Sequence, residues 1–256
     1  MTIHLQVEGD VAEIVLDAPD RLNALNPQDL ADLSAAYSDA VGVRALVLRG
    51  EGRAFCAGRD IAGVDPRTDG VLGYLGDLVT PLLRQIAAFP APTFAAAHGA
   101  CLGVGLGLLI ATDVVYVADT AKIGSPFANL GATLDSGGHA LFVERLGAHK
   151  TLDLIYTGRL MSGDEAVAAG LFSQALPAER LADEVRATAR RVATGATQAF
   201  LASKELVRAL RDERVGLWES MDAENRAQAA LCDTDDYREG FAAFQQKRPP
   251  QFTGQA

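Results

Sequence analysis

Cysteine is scarce in this 256-residue chain, and the three present, Cys56, Cys101 and Cys232, show no Cys-x-x-Cys spacing and no histidine close enough to complete a metal set. They read as reduced thiols of a cytoplasmic protein, with no metal site. Positive charge is also in deficit. A net charge of −10 argues against nucleic acid or an anionic membrane as partner, since either calls for a basic face. No run is long enough to span a bilayer: the longest apolar stretch, Leu102 to Ala111, is broken by glycines and reaches about half the required length. The start, Met1-Thr-Ile-His-Leu-Gln-Val-Glu-Gly, lacks the basic and apolar regions of a signal peptide and reads as a strand. Gly-Lys-Ser and Gly-Lys-Thr are missing, and the spacing Gly103, Gly105, Gly107 departs from Gly-x-Gly-x-x-Gly. Neither a nucleotide-hydrolase phosphate loop nor a dinucleotide fingerprint is present.

What is there is glycine in two places. Gly52-Arg-Ala-Phe-Cys-Ala-Gly-Arg-Asp60 and Gly99-Ala-Cys-Leu-Gly-Val-Gly-Leu-Gly107 each follow a β-like apolar run, and both can present bare backbone N–H groups. The second opens a helix at Gly103-Val104-Gly105, where the first-turn amides lack intrahelical partners and the dipole adds positive charge. Glycines that merely let a helix approach a sheet give the same pattern, so the motif alone decides nothing. A lone carboxylate, Asp135, stands in the otherwise nearly uncharged stretch from Ile123 to Leu141, beside Gly137-Gly138. Two donor turns and one acid suggest an oxyanion hole facing a single acid/base.

At this length, and with 49% apolar residues, the chain suits one large α/β domain with a helical appendage. Ile3 to Leu16 reads as a hairpin broken at Gly9-Asp10. Asn26-Pro27 caps a helix to about Ala40. A strand at Arg44 to Arg49 precedes the first glycine stretch and a polar loop through Gly70. Helix, strand, helix and strand follow at roughly 71–88, 92–97, 103–111 and 113–118, the alternation that parallel crossovers require. Ser162-Gly-Asp-Glu165 is a capping box. After Pro177 the pattern is helical at 178–193, 198–210, 215–230 and 237–245. We divide the chain into a core over 1–195 and a helical region over 196–256.

Several segments then carry a family resemblance: Leu16-Asp-Ala-Pro-Asp-Arg-Leu-Asn-Ala-Leu25, Gly52 to Ile61, Pro92 to Asp113, Ala121-Lys-Ile-Gly-Ser-Pro126, Thr157-Gly-Arg-Leu-Met-Ser162, Ala166 to Leu171, and Tyr237 to Phe244 before Lys247-Arg-Pro-Pro-Gln-Phe252. Over nearly its whole length the chain resembles the crotonase superfamily, the enoyl-CoA hydratase and isomerase family. The resemblance implies a spiral of ββα units with a helical C-terminal trimerisation region, a homotrimer or dimer of trimers, and an acyl-CoA thioester substrate. Coenzyme A is then part of the substrate, and no separate cofactor is implied. The thioester oxygen would be held by the N–H groups of Arg59 and Val104, with Gly103 in the turn. Coenzyme A would lie along Arg21, Leu22 and Ala24 and against Ala57, Asp60 and Ile61. Arg59 departs from the small residue usual at its place, and its side chain is expected to meet a phosphate or to face solvent.

Family hydratases place two glutamates about one water, and here those places hold Gly107 and Phe127. Neither moves a proton. Asp135 aligns instead with the single aspartate of the ring-epoxide and Δ3,Δ2-enoyl-CoA isomerase branch, and the closing segment is similar to phenylacetate-pathway isomerases. One carboxylate suffices to move a proton from the α to the γ carbon of a thioester whose oxyanion is stabilised. Phe127, Leu130 and Leu134 are expected to desolvate Asp135; the competing role is a cap on a helix starting at Ser136. The aspartate-nucleophile dehalogenase branch needs a helper histidine between Leu5 and Ala97, where none occurs. His98 reads as a loop hydrogen-bond donor, His139 as a packed structural residue, and Cys56 and Cys101 as small buried hydrophobes. A hydratase-type lyase and an idle coenzyme A-binding scaffold stand as the alternatives.

Overall fold

The computed structural model describes residues 2–255; Met1 and Ala256, the outer ends of the two expected regions, lie outside the described residues. The hairpin forms from β1 (Ile3–Glu8) and β2 (Val11–Leu16), which pair antiparallel across Gly9 at φ +58°. Next, Asn26 caps α1 (Pro27–Asp39) in a reciprocal capping box with Asp29, Pro27 supplying a preset φ at the first position. β3 (Ala45–Gly50) follows, then α2 (Val71–Gly73), which runs through a wide π-helical stretch, Tyr74–Val79, into α3 (Thr80–Ala87).

From here a ββα unit repeats. β4 (Thr93–Ala97), β5 (Ala100–Leu102) and α4 (Val104–Ala111) make one; β6 (Val114–Ala118), β7 (Lys122–Gly124) and, after a loop, α5 (Gly138–Leu146) make the next. α6 (Ala148–Thr157), α7 (Gly163–Ala168) and β8 (Gln174–Leu176) close the core, and α8 (Ala178–Ala193) packs back on it. The tail contains α9 (Thr197–Arg208), a π turn to Glu213, α10 (Leu217–Leu231) and α11 (Asp235–Gln246).

First strands of successive units build one six-stranded sheet in the order β1-β2-β3-β4-β6-β8, parallel from β2 onward. β3 and β4 are buried almost throughout, which is why they read as continuous apolar runs without alternation. Second strands form a smaller layer. β5 pairs parallel with β7, and single main-chain β-bridges join Cys56 to Cys101, Leu25 to Arg59, and Ile123 to Met161. Each unit therefore crosses the large sheet, adds a short rung to the small one, and leaves by a helix. The expected crotonase-like spiral is what the chain forms. Its missed elements are β5, β7 and β8, three residues each, and α6. Among the described residues no helix is long and apolar enough to cross a membrane.

Candidate active site

The site lies where the rungs of the small layer end. Segment 56–60 runs between two neighbours. On one side the Cys56 N–H donates to Ala100 O (3.0 Å) and the Leu102 N–H to Cys56 O (3.0 Å). On the other, the Ala57 N–H donates to Leu22 O (2.9 Å), the Leu25 N–H to Gly58 O (2.8 Å) and the Asp60 N–H to Leu25 O (3.0 Å). In a parallel ladder this pattern turns the N–H of residue 59 away from Leu25, toward the opposite edge. There the pairing with β5 has already stopped. The chain diverges through Gly58 at φ +101° and Gly103 at φ +52°, conformations that a side chain would strain.

Val104 opens α4, so its N–H has no intrahelical acceptor. Among the described residues neither the Arg59 nor the Val104 N–H is hydrogen-bonded. The two turns touch: a Cβ at Gly58 would stand 2.9 Å from Leu102 O and 3.6 Å from Val104 N. A Cβ at Gly105 would come 2.8 Å from Cys56 Cβ and closer still to Cys56 O. These glycines therefore bring a helix end against the 56–59 rung and leave two main-chain donors side by side, an arrangement suited to an oxyanion.

The acid approaches over the same helix. Gly107 lies one turn beyond Val104, and a Cβ there would sit 2.6 Å from Ser136 Cβ. The absent side chain is what admits the 135–136 turn. Asp135 caps nothing. α5 begins at Gly138 behind a Gly137 N-cap at φ +88°, with no side-chain cap, so the expected helix start at Ser136 is corrected. The carboxylate is partly buried and accepts from the Ser136 hydroxyl (2.8 Å), Ser136 holding φ +53°. Burial raises its pKa above the ordinary carboxylate value, opposed by the Ser136 hydrogen bond and by the charges of Arg59 and His139.

Leu134 is buried, but Leu130 is 63% exposed and does not cover the carboxylate as expected, because the 3-10 turn Phe127–Leu130 ends in a left-handed Gly131 that points its last residue outward. The Phe127 ring instead lies over the Gly103 turn, its Cζ 2.8 Å from where a Gly103 Cβ would be. His139 is exposed rather than packed, since it sits on the solvent side of the first turn of α5. His98 donates from Nε2 to Gly52 O (2.9 Å), the loop role expected. Cys56 and Cys101 are fully buried; burial pushes the Cys56 thiol up to about 12 and raises Cys101 as well, so both are inert hydrophobes at neutral pH.

The expected coenzyme A rim is brought together by the same ladder. Leu22 and Asn23 both adopt left-handed φ (54° and 56°). The buried Asn23 amide sustains this, accepting from Ala18 N (2.7 Å) and donating to Glu51 O (2.9 Å) and Ala54 O (2.7 Å). Arg21 pairs with Asp29 (2.8 Å) and Asp60 (3.2 Å), Ala24 is buried, Ala57 half-buried and Ile61 exposed.

The Arg59 side chain is only partly exposed and is already engaged by an acidic partner, not held out as a free cation. It forks onto Asp69 (2.8 and 2.6 Å) and stacks on Tyr74, 4.2 Å from the ring centroid. The sequence reading gives Asp69, Tyr74 and Ser136 no place in the site. One signal was available: an arginine that follows the apolar run Ala54 to Gly58 is well served by an acidic partner, and Asp69 closes the polar loop that follows.

A family model described as Enoyl-CoA hydratase/isomerase matches residues 6–255. Among curated relatives, a probable enoyl-CoA hydratase of Rhodobacter capsulatus is 35% identical over 254 residues, covering 99% of this chain and 98% of its own. A 1,2-epoxyphenylacetyl-CoA isomerase of Escherichia coli is 34% identical over 257 residues, 97% of each chain. A crystal structure of a putative enoyl-CoA hydratase/isomerase from Mycobacterium abscessus superposes with a TM-score of 0.91 at 31% identity, over 99% of this chain and all of the other. The chain belongs to the enoyl-CoA hydratase/isomerase family and is an enzyme of that family.

Proposed function

We propose that this enzyme is an acyl-CoA isomerase in which Asp135 carries one proton between carbons of a thioester held by the Arg59 and Val104 N–H groups. The observation that carries this reading is the filling of position 107. A glutamate there would collide with Ser136, and Phe127 occupies the other place where a hydratase would need a carboxylate. With one base, the chemistry that balances is removal of the α proton, storage of charge as a dienolate on the oxyanion donors, and return of the same proton at the γ carbon. Ring-epoxide isomerisation uses the same parts, and the similarity to an epoxide isomerase supports it. In this reading coenzyme A lies along Arg21, Leu22, Ala24, Ala57, Asp60 and Ile61, with Gly103 and Phe127 near the reacting end and Leu130 at the pocket's outer edge. The enzyme works in the cytoplasm as a homotrimer or dimer of trimers, joined through its helical tail.

The test is to mix purified enzyme with a 3-enoyl-CoA and follow the conjugated thioester absorbance. Asp135→Asn should lower kcat by about a hundredfold or more; unchanged turnover refutes the assignment. The hydratase names of several relatives favour a second reading, hydration. Incorporation of heavy oxygen from water into a 3-hydroxyacyl product would select it.

A further inference from the structure

Arg59 provides an N–H to the site and also carries a long charged side chain, and that side chain is engaged at three points. Its guanidinium makes a two-pronged pair with Asp69, ten residues on, and both partners are largely shielded from water. Its face rests on Tyr74 in the π-helical stretch, 4.2 Å from the ring centroid. The Tyr74 hydroxyl in turn donates to Leu25 O (3.0 Å), the same carbonyl that accepts the Asp60 N–H. The circuit therefore returns to the ladder that aims the Arg59 N–H. Residues 60–68 hang between its two ends as an exposed polar loop, apart from the partly buried Asp60 and Val64.

We propose that the Arg59 side chain is a positioning residue: clamped by Asp69 and Tyr74, it latches the 60–68 loop beside the acyl site, fixes the direction of its own N–H, and sets the charge that Asp135 faces. The groups around Asp135 are the Arg59 guanidinium, the Tyr74 ring beneath it, His139 on α5 and the Ser136 hydroxyl. Arg59 is the strongest of the two cationic influences on it. A bidentate arginine fork stacked on an aromatic ring is a geometry that lysine does not reproduce. The assignment rests on the isomerase reading for its kinetic arm only.

The test uses the full chain in three variants, Arg59→Gln, Asp69→Asn and Arg59→Lys, all of which keep the main-chain N–H at position 59. Trypsin cleavage after the exposed Arg67 should be about tenfold faster in each, since the closed loop is then held from one end. With a 3-enoyl-CoA, kcat should fall about tenfold in each with little change in KM, as a donor loses alignment. The acid limb of the rate profile separates charge from shape. Removing the cation in Arg59→Gln makes the Asp135 carboxylate harder to form and moves the limb to higher pH. Removing the anion in Asp69→Asn leaves Arg59 less neutralised and moves it to lower pH, while Arg59→Lys leaves it in place. Cleavage at the wild-type rate, or limbs of Arg59→Gln and Asp69→Asn that stay put or move in the same direction, overturns the proposal. Should the wild type fail to isomerise, the isomerase reading falls, and wild-type cleavage in all three variants would then overturn the latch by itself.

Discussion

The central elements of the spiral core and the helices of the tail treat apolar side chains in opposite ways. In the core, β3 and β4 are covered on both faces and α4 is buried on nearly every residue, so each side chain has its neighbours within the chain. In the tail, helices with clear apolar stripes leave large side chains in water: Trp218 is 75% exposed and Phe244 84%, with Leu217, Val207 and Phe241 also exposed. A single chain completes the scaffold of its site but not the surface of its tail. An exposed apolar face of that extent marks an association surface, which the proposed trimer would cover.

The largest effect that sharpens this contrast belongs to Gly105. Gly105→Ala places a methyl against Cys56 where neither backbone can yield, and should cost about 3 kcal/mol together with activity; thermal unfolding at fixed concentration measures it, and a stable active variant would break the account. Next is a point where the tail does dock. Lys204 on α9 is largely buried and holds Asp113 (2.9 Å), Phe89 O (2.9 Å) and Ala91 O (3.3 Å). Lys204→Met should cost about 2 kcal/mol in denaturant titration, because it strands acceptors and a carboxylate.

Trp218→Ser combined with Phe244→Ser should change the stability of the single chain by no more than about 0.5 kcal/mol. Sedimentation should nevertheless show a smaller particle, and the concentration dependence of Tm should disappear. Unchanged mass would remove the tail's assigned role. The smallest effect concerns Asp135. Burial raises its folded pKa above the unfolded one, so its contribution to stability is full below the unfolded value and is lost as pH rises through the folded one. Asp135→Asn does not titrate at this position; the variant's Tm minus the wild type's should therefore increase as pH rises from the acid side to neutral, and a difference that stays constant or decreases over that range counts against the desolvated carboxyl.

Much of this was legible in the sequence because long elements carry their own signals. The hairpin, the strands at Ala45–Gly50 and Thr93–Ala97, the Asn26 and Ser162 capping boxes and α8 fall where alternation, apolar runs and caps placed them. The short rungs did not, since three residues have no period to read and exist only because a neighbouring rung bonds to them. The same limit applied at the site. Glycine stretches beginning 47 residues apart announced donors without showing that Arg59 and Val104 meet, and His139 and Leu130 were misplaced because exposure on a short helical turn is set by what lies beneath it. Arg59's fork to Asp69 depends on a loop path that no local propensity determines.

Asn23 has a consequence for how a ligand is received. Its amide, fully enclosed, rivets residues 18–23 to the 51–54 bend and holds two successive left-handed residues, Leu22 and Asn23, that would otherwise relax. The brim along Arg21 to Ala24 is thus rigid before anything arrives. A molecule settling there has no flexible backbone to freeze at that edge, so more of its contact energy survives as affinity.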